Sequence, residues 1–84
     1  MTLVVVQNDR NVPVTVYVQN DLNETRLATV APLTDTTIRI PSYLTAAGEV
    51  SFFVHPQHEL DEGTAPMEIK RGDHVGLIVP AKPR

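Results

Sequence analysis

Alternation of valine over residues 12–18 is the feature that most constrains the fold of this 84-residue chain. The segment reads V-P-V-T-V-Y-V, so its valines point to one face of a β-strand and the residues between them point to the other. A repeat of two over this length predicts a half-buried strand in an antiparallel sheet. A similar run at residues 3–7 precedes it across the polar residues 8–11, which predicts that the two strands pair as a β-hairpin.

Further apolar runs extend the pattern along the whole chain. Strand candidates follow at residues 26–30, 36–40, 49–55, 67–70 and 74–80. Turn-forming residues separate them, and residues 41–48 allow one helical turn. The seven strands predict an all-β fold, a seven-stranded antiparallel Greek-key β-sandwich of immunoglobulin-like topology. A small closed barrel is the alternative.

The length and composition indicate how such a fold would be stabilised. The chain is long enough for one domain, predicted over residues 1–80, with residues 81–84 as a frayed tail. It contains no cysteine, so neither disulfides nor a thiolate metal site contribute. Stability must therefore come from apolar packing and sheet hydrogen bonds, and we expect Phe52 to be the one large aromatic side chain of the core.

The charge pattern argues against two classes of partner. The net charge is −3 and the seven Lys and Arg residues are scattered, which predicts no nucleic-acid binding. No apolar run approaches the ~18 residues of a membrane span, so we expect no membrane insertion by this chain. No signal segment follows Met1, which leaves a cytoplasmic protein or a mature extracytoplasmic domain as alternatives.

The best candidate for metal chemistry lies at the end of the fifth predicted strand. His55 and His58 are followed by Glu59 and Asp61, and imidazole and carboxylate groups are ligands that suit zinc and other divalent transition metals. The segment predicts a shallow surface metal site with these four residues as ligands. The alternative is an ordinary polar loop in which Pro56 ends the strand and no further ligands are fixed in place.

A second candidate is a contact surface on the outward face of the same strand. Ser51, Phe53 and His55 alternate with the predicted core positions, and Tyr17 faces outward from the second strand. Exposed apolar side chains tend to mark contact sites, so this face predicts an interface with another chain or a ligand. The alternative is that loops, or the turn at residues 43–44, cover Phe53.

Three shorter motifs have simple structural explanations. Residues 71–73 spell Arg-Gly-Asp, which integrin receptors recognise, but a turn between strands also favours glycine and aspartate. Residues 23–25 match an N-glycosylation acceptor in a predicted loop. Ser51 and His55 share one face, yet an open sheet lacks the water-excluding pocket of a hydrolase. The sequence therefore predicts no catalytic residues, no cofactor and no enzyme activity.

Three parts of the chain resemble a known group of domains. The first part is a V-x-N entry strand at residues 4–8 with the strand at residues 14–18. The second is an R-L-x-T-V segment at residues 26–32 with the strand at residues 37–41. The third is a closing G-D-x-V strand within residues 69–79. This order resembles small uncharacterised β-sandwich domains of bacterial envelope proteins and lipoproteins. Ala28 stands where those domains usually have glycine, and no lipobox cysteine is present. The resemblance implies a sandwich and favours an extracytoplasmic (periplasmic) location, without implying catalytic residues.

These observations lead to one expectation about function. We expect a non-catalytic structural or accessory β-sandwich that acts through protein–protein contacts, as a subunit of a larger envelope or membrane-associated assembly. A partner protein or a second copy would bind through a sheet edge or a sheet face. The alternative function is binding of a divalent metal or another ligand by His55, His58 and the acidic loop.

Overall fold

The computed structural model describes residues 2–20, 23–45 and 48–81 of the chain. The described strands and helical turn are β1 (Thr2–Asn8), β2 (Val14–Asn20), β3 (Asn23–Val30), β4 (Asp35–Ile40), α1 (Ser42–Thr45), β5 (Glu49–Pro56), β6 (Glu62–Gly63), β7 (Met67–Glu68) and β8 (His74–Val79). The predicted strands correspond to β1–β5, β7 and β8. β6 lies in a segment that was predicted to be irregular, and residues 82–84 of the predicted tail lie outside the described ranges.

The strands form two sheets that pack face to face. The small sheet has the order β4-β1-β8, and the large sheet has the order β3-β2-β5 with β6 and β7 both paired to β5. Thr64 links these two short strands along β5, because its amide donates to Phe52 O (2.9 Å) and its hydroxyl accepts from Phe52 N (3.0 Å). The fold is therefore the predicted all-β arrangement of two packed sheets.

The core lies between the inner faces of the two sheets, as the alternation predicts. Val14, Val16 and Val18 of β2 are buried together with Val4 and Val6 of β1. Most predicted inward positions of the later strands are also in this cluster, namely Ile38, Ile40, Val50, Phe52, Val54, Leu77 and Val79. Val75, also predicted to face inward, is only partly buried and packs against the cluster. Phe52 is the largest of the fully buried side chains, which confirms its predicted role as the large aromatic residue of the core.

α1 is a single helical turn that contributes one side chain to the core. Leu44 is 3% exposed, and its amide donates to Pro41 O at 3.0 Å. The predicted helical turn is therefore present at Ser42–Thr45, and residues 46–47 of that prediction lie outside the described part. No helix in the described ranges is long and apolar enough to cross a membrane.

The predicted hairpin between β1 and β2 is wrong, because these strands belong to different sheets. Residues 9–13 carry the chain across the sandwich instead. The buried Asn8 side chain stabilises this crossing: its Nδ2 donates to Val12 O (3.0 Å), Val30 O (3.3 Å) and Ala31 O (3.1 Å). The sequence predicted a simple polar turn at these residues. The structure has instead a hydrogen-bonded connection between the two sheets.

Three other expectations need correction. β1 and β8 pair in parallel, with Leu3 opposite His74, so the sheets are not wholly antiparallel. No strand pair in residues 2–20, 23–45 and 48–81 joins the two sheets, which excludes a closed barrel for this part of the chain. The glycosylation-like residues 23–25 lie in β3 rather than in a loop, and Asn23 is paired with Asn20.

The large sheet is wider than the small sheet by one strand position. β6 and β7 share this position, because both pair with β5 along different parts of its length. β3 and β4 contact each other at one side of the sandwich. At the other side, Leu77 and Val79 of β8 lie beside Phe52 and Val54 of β5. β6 and β7 therefore extend beyond β8, and no strand of the described part lies above them in the small sheet.

Candidate functional site

The outer face of the large sheet brings together all four residues of the predicted contact surface. Cross-strand pairing places Tyr17 opposite Phe53, and Ser51 opposite Gln19. His55 lies opposite Thr15 at one end of the same face. Tyr17, Ser51 and Phe53 are half-buried, and the side chain of His55 is 46% exposed. We call this surface, formed by Tyr17, Ser51, Phe53 and His55, the outer aromatic face.

The partial burial of Phe53 comes from β6. Phe53 is paired with Gly63, and a Cβ added to Gly63 would lie 2.6 Å from Phe53 Cε1. The ring therefore rests against the glycine backbone, which only glycine permits. Tyr43 is exposed and Leu44 is buried in the core, so the turn at residues 43–44 is not what covers Phe53. The other half of that alternative, cover by a loop, is correct in part, because Gly63 lies in the segment that was predicted to be irregular.

A β-bulge in β3 shapes the other side of this face. Val16 pairs with Ala28 while Tyr17 pairs with Arg26, so Leu27 is the extra residue. A bulge shifts the alternation by one residue, and Leu27 consequently packs against the core while Arg26 is exposed beside Tyr17. Tyr17 thus lies between a cationic side chain on one strand and an aromatic ring on the other.

An open depression of about 360 Å³ lies next to His55. It is lined by Pro13, Thr15, Thr29, His55, Gln57 and His58. His55 Nδ1 contacts Asp61 Oδ1, so Asp61 orients the imidazole ring. His58 has a φ of 63°, in the left-handed region, which turns the chain at the rim of the depression.

The four predicted metal ligands do not converge on one point. His55 is bonded to Asp61, whereas the Glu59 carboxylate binds Arg10. In the ranges that the structure describes, no group of three or more histidine, aspartate and glutamate side chains is close enough to hold a metal ion. A zinc site usually has at least three protein ligands in fixed geometry.

Ser51 and His55 are also separated. Four residue steps along β5 place them roughly 13 Å apart, which is too far for a serine and its general base. The hydroxyl that lies opposite His55 belongs to Thr15, and this hydroxyl is bonded to Thr29 Oγ1 at 3.3 Å. Ser51 and His55 therefore do not form the nucleophile and base pair that a hydrolase would need.

Arg10 is the most important residue that sequence reasoning missed. It is 7% exposed, although it lies in a segment predicted to be a surface turn. Its guanidinium contacts Glu59 through Nη1, donates to Glu62 Oε1 through Nη2 at 3.0 Å, and donates to Pro80 O through Nε at 2.6 Å. Arg10 thereby fixes the acidic loop to the end of β8, which leaves Glu59 committed to an ion pair.

The Arg-Gly-Asp motif forms the turn that was expected, although the turn joins strands of different sheets. Asp73 N donates to Lys70 O at 3.0 Å, and Asp73 Oδ2 accepts from Lys70 N at 2.8 Å. Gly72 has a φ of 93°, a conformation that glycine adopts without strain. The Asp73 carboxylate is thus used inside its own turn.

The chain matches no protein-family model, no curated protein and no solved structure.

Proposed function

We propose that this chain is a non-catalytic β-sandwich domain that acts by protein–protein contact, with the outer aromatic face as its contact surface. The observation that carries the proposal is the cross-strand pair of Tyr17 and Phe53 on the two central strands of an open sheet face. Aromatic residues at the centre of a patch with polar residues around it are typical of protein interfaces. Here Thr15, Gln19 and Ser51 supply part of the polar surround.

The resemblance described above supports a location for the partner. Residues 4–8, 26–32 and 69–79 resemble domains of bacterial envelope proteins, so the proposed partner belongs to a larger envelope or membrane-associated assembly outside the cytoplasm. A net charge of −3 with scattered basic residues favours a protein partner over a nucleic acid.

The connectivity supports the finer fold class, a Greek-key sandwich of immunoglobulin-like topology. The chain passes from one sheet to the other between β1 and β2, β3 and β4, β4 and β5, and β7 and β8. Repeated crossing between two sheets is what Greek-key connections produce. Immunoglobulin-like domains are common contact modules, although fold alone does not establish function.

Site-specific photo-crosslinking tests the proposed surface. A benzophenone amino acid replaces Tyr17 in one variant, and in a matched control it replaces Thr37, which is exposed on the small sheet. After irradiation in an extract of the source organism, we expect discrete protein adducts from position 17 and none from position 37. Equal adducts from both positions, or adducts from position 37 alone, would contradict the assignment of the outer aromatic face.

Sedimentation velocity separates a foreign partner from a second copy. If the purified chain self-associates through this face, Tyr17→Ser should lower the sedimentation coefficient at high concentration, and Thr37→Ser should not. If the chain is a monomer under all conditions, the adduct mass identifies the partner. A monomer that gives no adduct at position 17 would remove the proposal.

A further inference from the structure

The free edge of β8 carries backbone groups that no described strand pairs with. Among the described strands β8 pairs with β1 alone, and Leu3 N donates to Asp73 O (3.0 Å) while Asp9 N donates to Val79 O (2.9 Å). In a strand, the amide and carbonyl of one residue point to the same side, and this side alternates along the chain. Odd-numbered residues of β8 therefore face β1, and His74, Gly76 and Ile78 face away from it.

Edge strands are usually protected against further pairing, and this one has little protection. Charged side chains, proline and bulges are the common devices. β8 reads H-V-G-L-I-V, without lysine or proline and with Ile78 67% exposed. The first proline, Pro80, follows the strand, and its carbonyl is occupied by Arg10. The unprotected part of the edge therefore spans His74–Val79.

An apolar gap runs beside this edge. It has a volume of about 130 Å³, and its lining includes the core residues Phe52, Val54, Leu77 and Val79 together with the exposed Glu62 and Ile78. The gap exists because the large sheet is one strand wider than the small sheet. A space of this size lined by core residues accommodates one branched aliphatic side chain.

We propose that the edge of β8 and this gap form a slot that accepts one extended segment of a partner protein as the fourth strand of the small sheet. The segment's backbone pairs with His74, Gly76 and Ile78, and its inward side chains are aliphatic residues at alternate positions. Glu62 is the only charged residue among the described residues that line the gap, and it is 50% exposed. It shares the single positive charge of Arg10 with Glu59, so one negative charge remains unbalanced and the segment carries lysine or arginine beside the aliphatic positions. We call this site the β8 slot.

The overhang of the large sheet decides against a second folded copy as the occupant. A copy that paired β8 with β8 would bring its own β5 to the position that β6 and β7 already occupy. The two large sheets would then collide. A single strand with no second layer beneath it fits the slot without this conflict, so the occupant is an extended peptide. The site is separate from the outer aromatic face, and neither proposal depends on the other.

Amide hydrogen exchange measured by NMR on the full chain tests the slot. The probe is a synthetic peptide of sequence K-V-K-V-T-V-K-V-K with blocked ends. In the free protein we expect fast exchange at His74, Gly76 and Ile78 and protection at Val75 and Leu77. With the peptide at ten times its Kd, exchange at the first three amides should slow about tenfold.

Four matched controls make the result specific. The same peptide N-methylated at the residues that would pair keeps its side chains and should give no protection. Gly76→Pro should abolish the effect, because this amide faces away from β1 and proline there removes no existing ladder bond. Gly76→Ala keeps the amide, meets no atom within 4 Å, and should bind as the wild type does. Tyr17→Ser should also bind normally.

Other outcomes would overturn the proposal. Unchanged exchange at about 1 mM peptide, a concentration that would reveal even weak association, would show that the slot does not take a strand. Equal binding of the N-methylated peptide would exclude backbone pairing. Loss of binding in Tyr17→Ser would move the site to the outer aromatic face. The three amides could instead be protected in the free protein, with protection that rises as the protein concentration rises. That result would mean that a second copy covers the edge.

Discussion

Two polar segments of similar composition carry the chain between the sheets, and they differ sharply in burial. Residues 8–11 read N-D-R-N and follow β1, and residues 70–73 read K-R-G-D and precede β8. In the first segment Asn8 and Arg10 are 1% and 7% exposed. All residues of the second segment are exposed. One segment is therefore a buried connection and the other is a solvated turn.

The difference comes from what else meets each segment. At residues 8–11, Asn8 N donates to Thr34 O (2.9 Å) and Leu33 N donates to Arg10 O (3.1 Å), so the turn between β3 and β4 packs against them. The acidic loop and Pro80 contact the same place through Arg10. At residues 70–73, the outside contacts come from the start of β1: the Thr2 hydroxyl accepts from Gly72 N at 3.0 Å, and Leu3 N donates to Asp73 O at 3.0 Å. Burial of a polar segment is thus set by neighbouring loops rather than by its own composition.

Asn8→Ala should have the largest effect of the substitutions that test this contrast. The two hydrogens of its Nδ2 are shared among three backbone carbonyls, and its Oδ1 accepts from Arg10 N at 2.9 Å. Its removal leaves buried backbone groups without partners, which should lower the free energy of unfolding by about 3 kcal/mol. Urea unfolding followed by circular dichroism measures this change. Asn11→Ala, at an exposed position of the same segment, is the control, and an equal loss there would refute the explanation.

Arg10→Met should cause the second largest loss in the free energy of unfolding. Methionine keeps the aliphatic bulk and removes the guanidinium contacts to Glu59, Glu62 and Pro80 O. Because Glu62 is half-exposed and regains water, we expect a loss of about 2 kcal/mol rather than the larger cost of a fully buried pair. Arg71→Met, at the exposed segment, should change stability by less than about 0.3 kcal/mol.

The salt dependence of the Arg10→Met difference gives an independent check. A buried ion pair is screened less by salt than a surface pair. The stability difference between wild type and variant should therefore persist in high salt, measured by the same unfolding experiment. Its disappearance would mean that Arg10 acts as an ordinary surface charge, and the contrast between the two segments would then be lost.

The sequence predicted the fold where one short segment determines the structure. The alternation at β2 and β5 identified the core valines and Phe52, and it placed Tyr17 and Phe53 on one outer face. It failed where the outcome depends on distant segments. The β1–β2 hairpin was inferred from local polarity, although residues 8–11 contain no glycine and none of them adopts the positive φ that the common two-residue hairpin turns require.

The β8 slot was similarly hidden from sequence reasoning. Its existence depends on the number of strands in each sheet, and strand order is a property of long-range pairing that one sequence does not encode locally. The role of Arg10 depends on Glu59 and Glu62, which are about fifty positions away in the chain. Only the isolated Gly63, opposite an outward Phe53, was a usable signal of close backbone approach.

Gly72→Ala tests the exposed segment by its backbone. The φ of 93° is unfavourable for alanine, and no atom lies within 4 Å of an added Cβ, so the cost is conformational alone. We expect a loss of about 1 kcal/mol in urea unfolding. Gly76→Ala is the matched control, because that position has open space and no positive φ, and it should be neutral or slightly stabilising. A neutral Gly72→Ala would show that the turn tolerates rearrangement.

Asp73→Ala should have the smallest effect. The carboxylate accepts from Lys70 N at 2.8 Å, but the residue is exposed and water replaces it readily. We expect a loss of about 0.5 kcal/mol, with Asp73→Asn closer to wild type because the amide oxygen still accepts. A loss as large as that of Asn8→Ala would mean that water does not replace the Asp73 carboxylate in the exposed segment. Burial would then not be what separates the two segments, and the special position of Asn8 and Arg10 would need another cause.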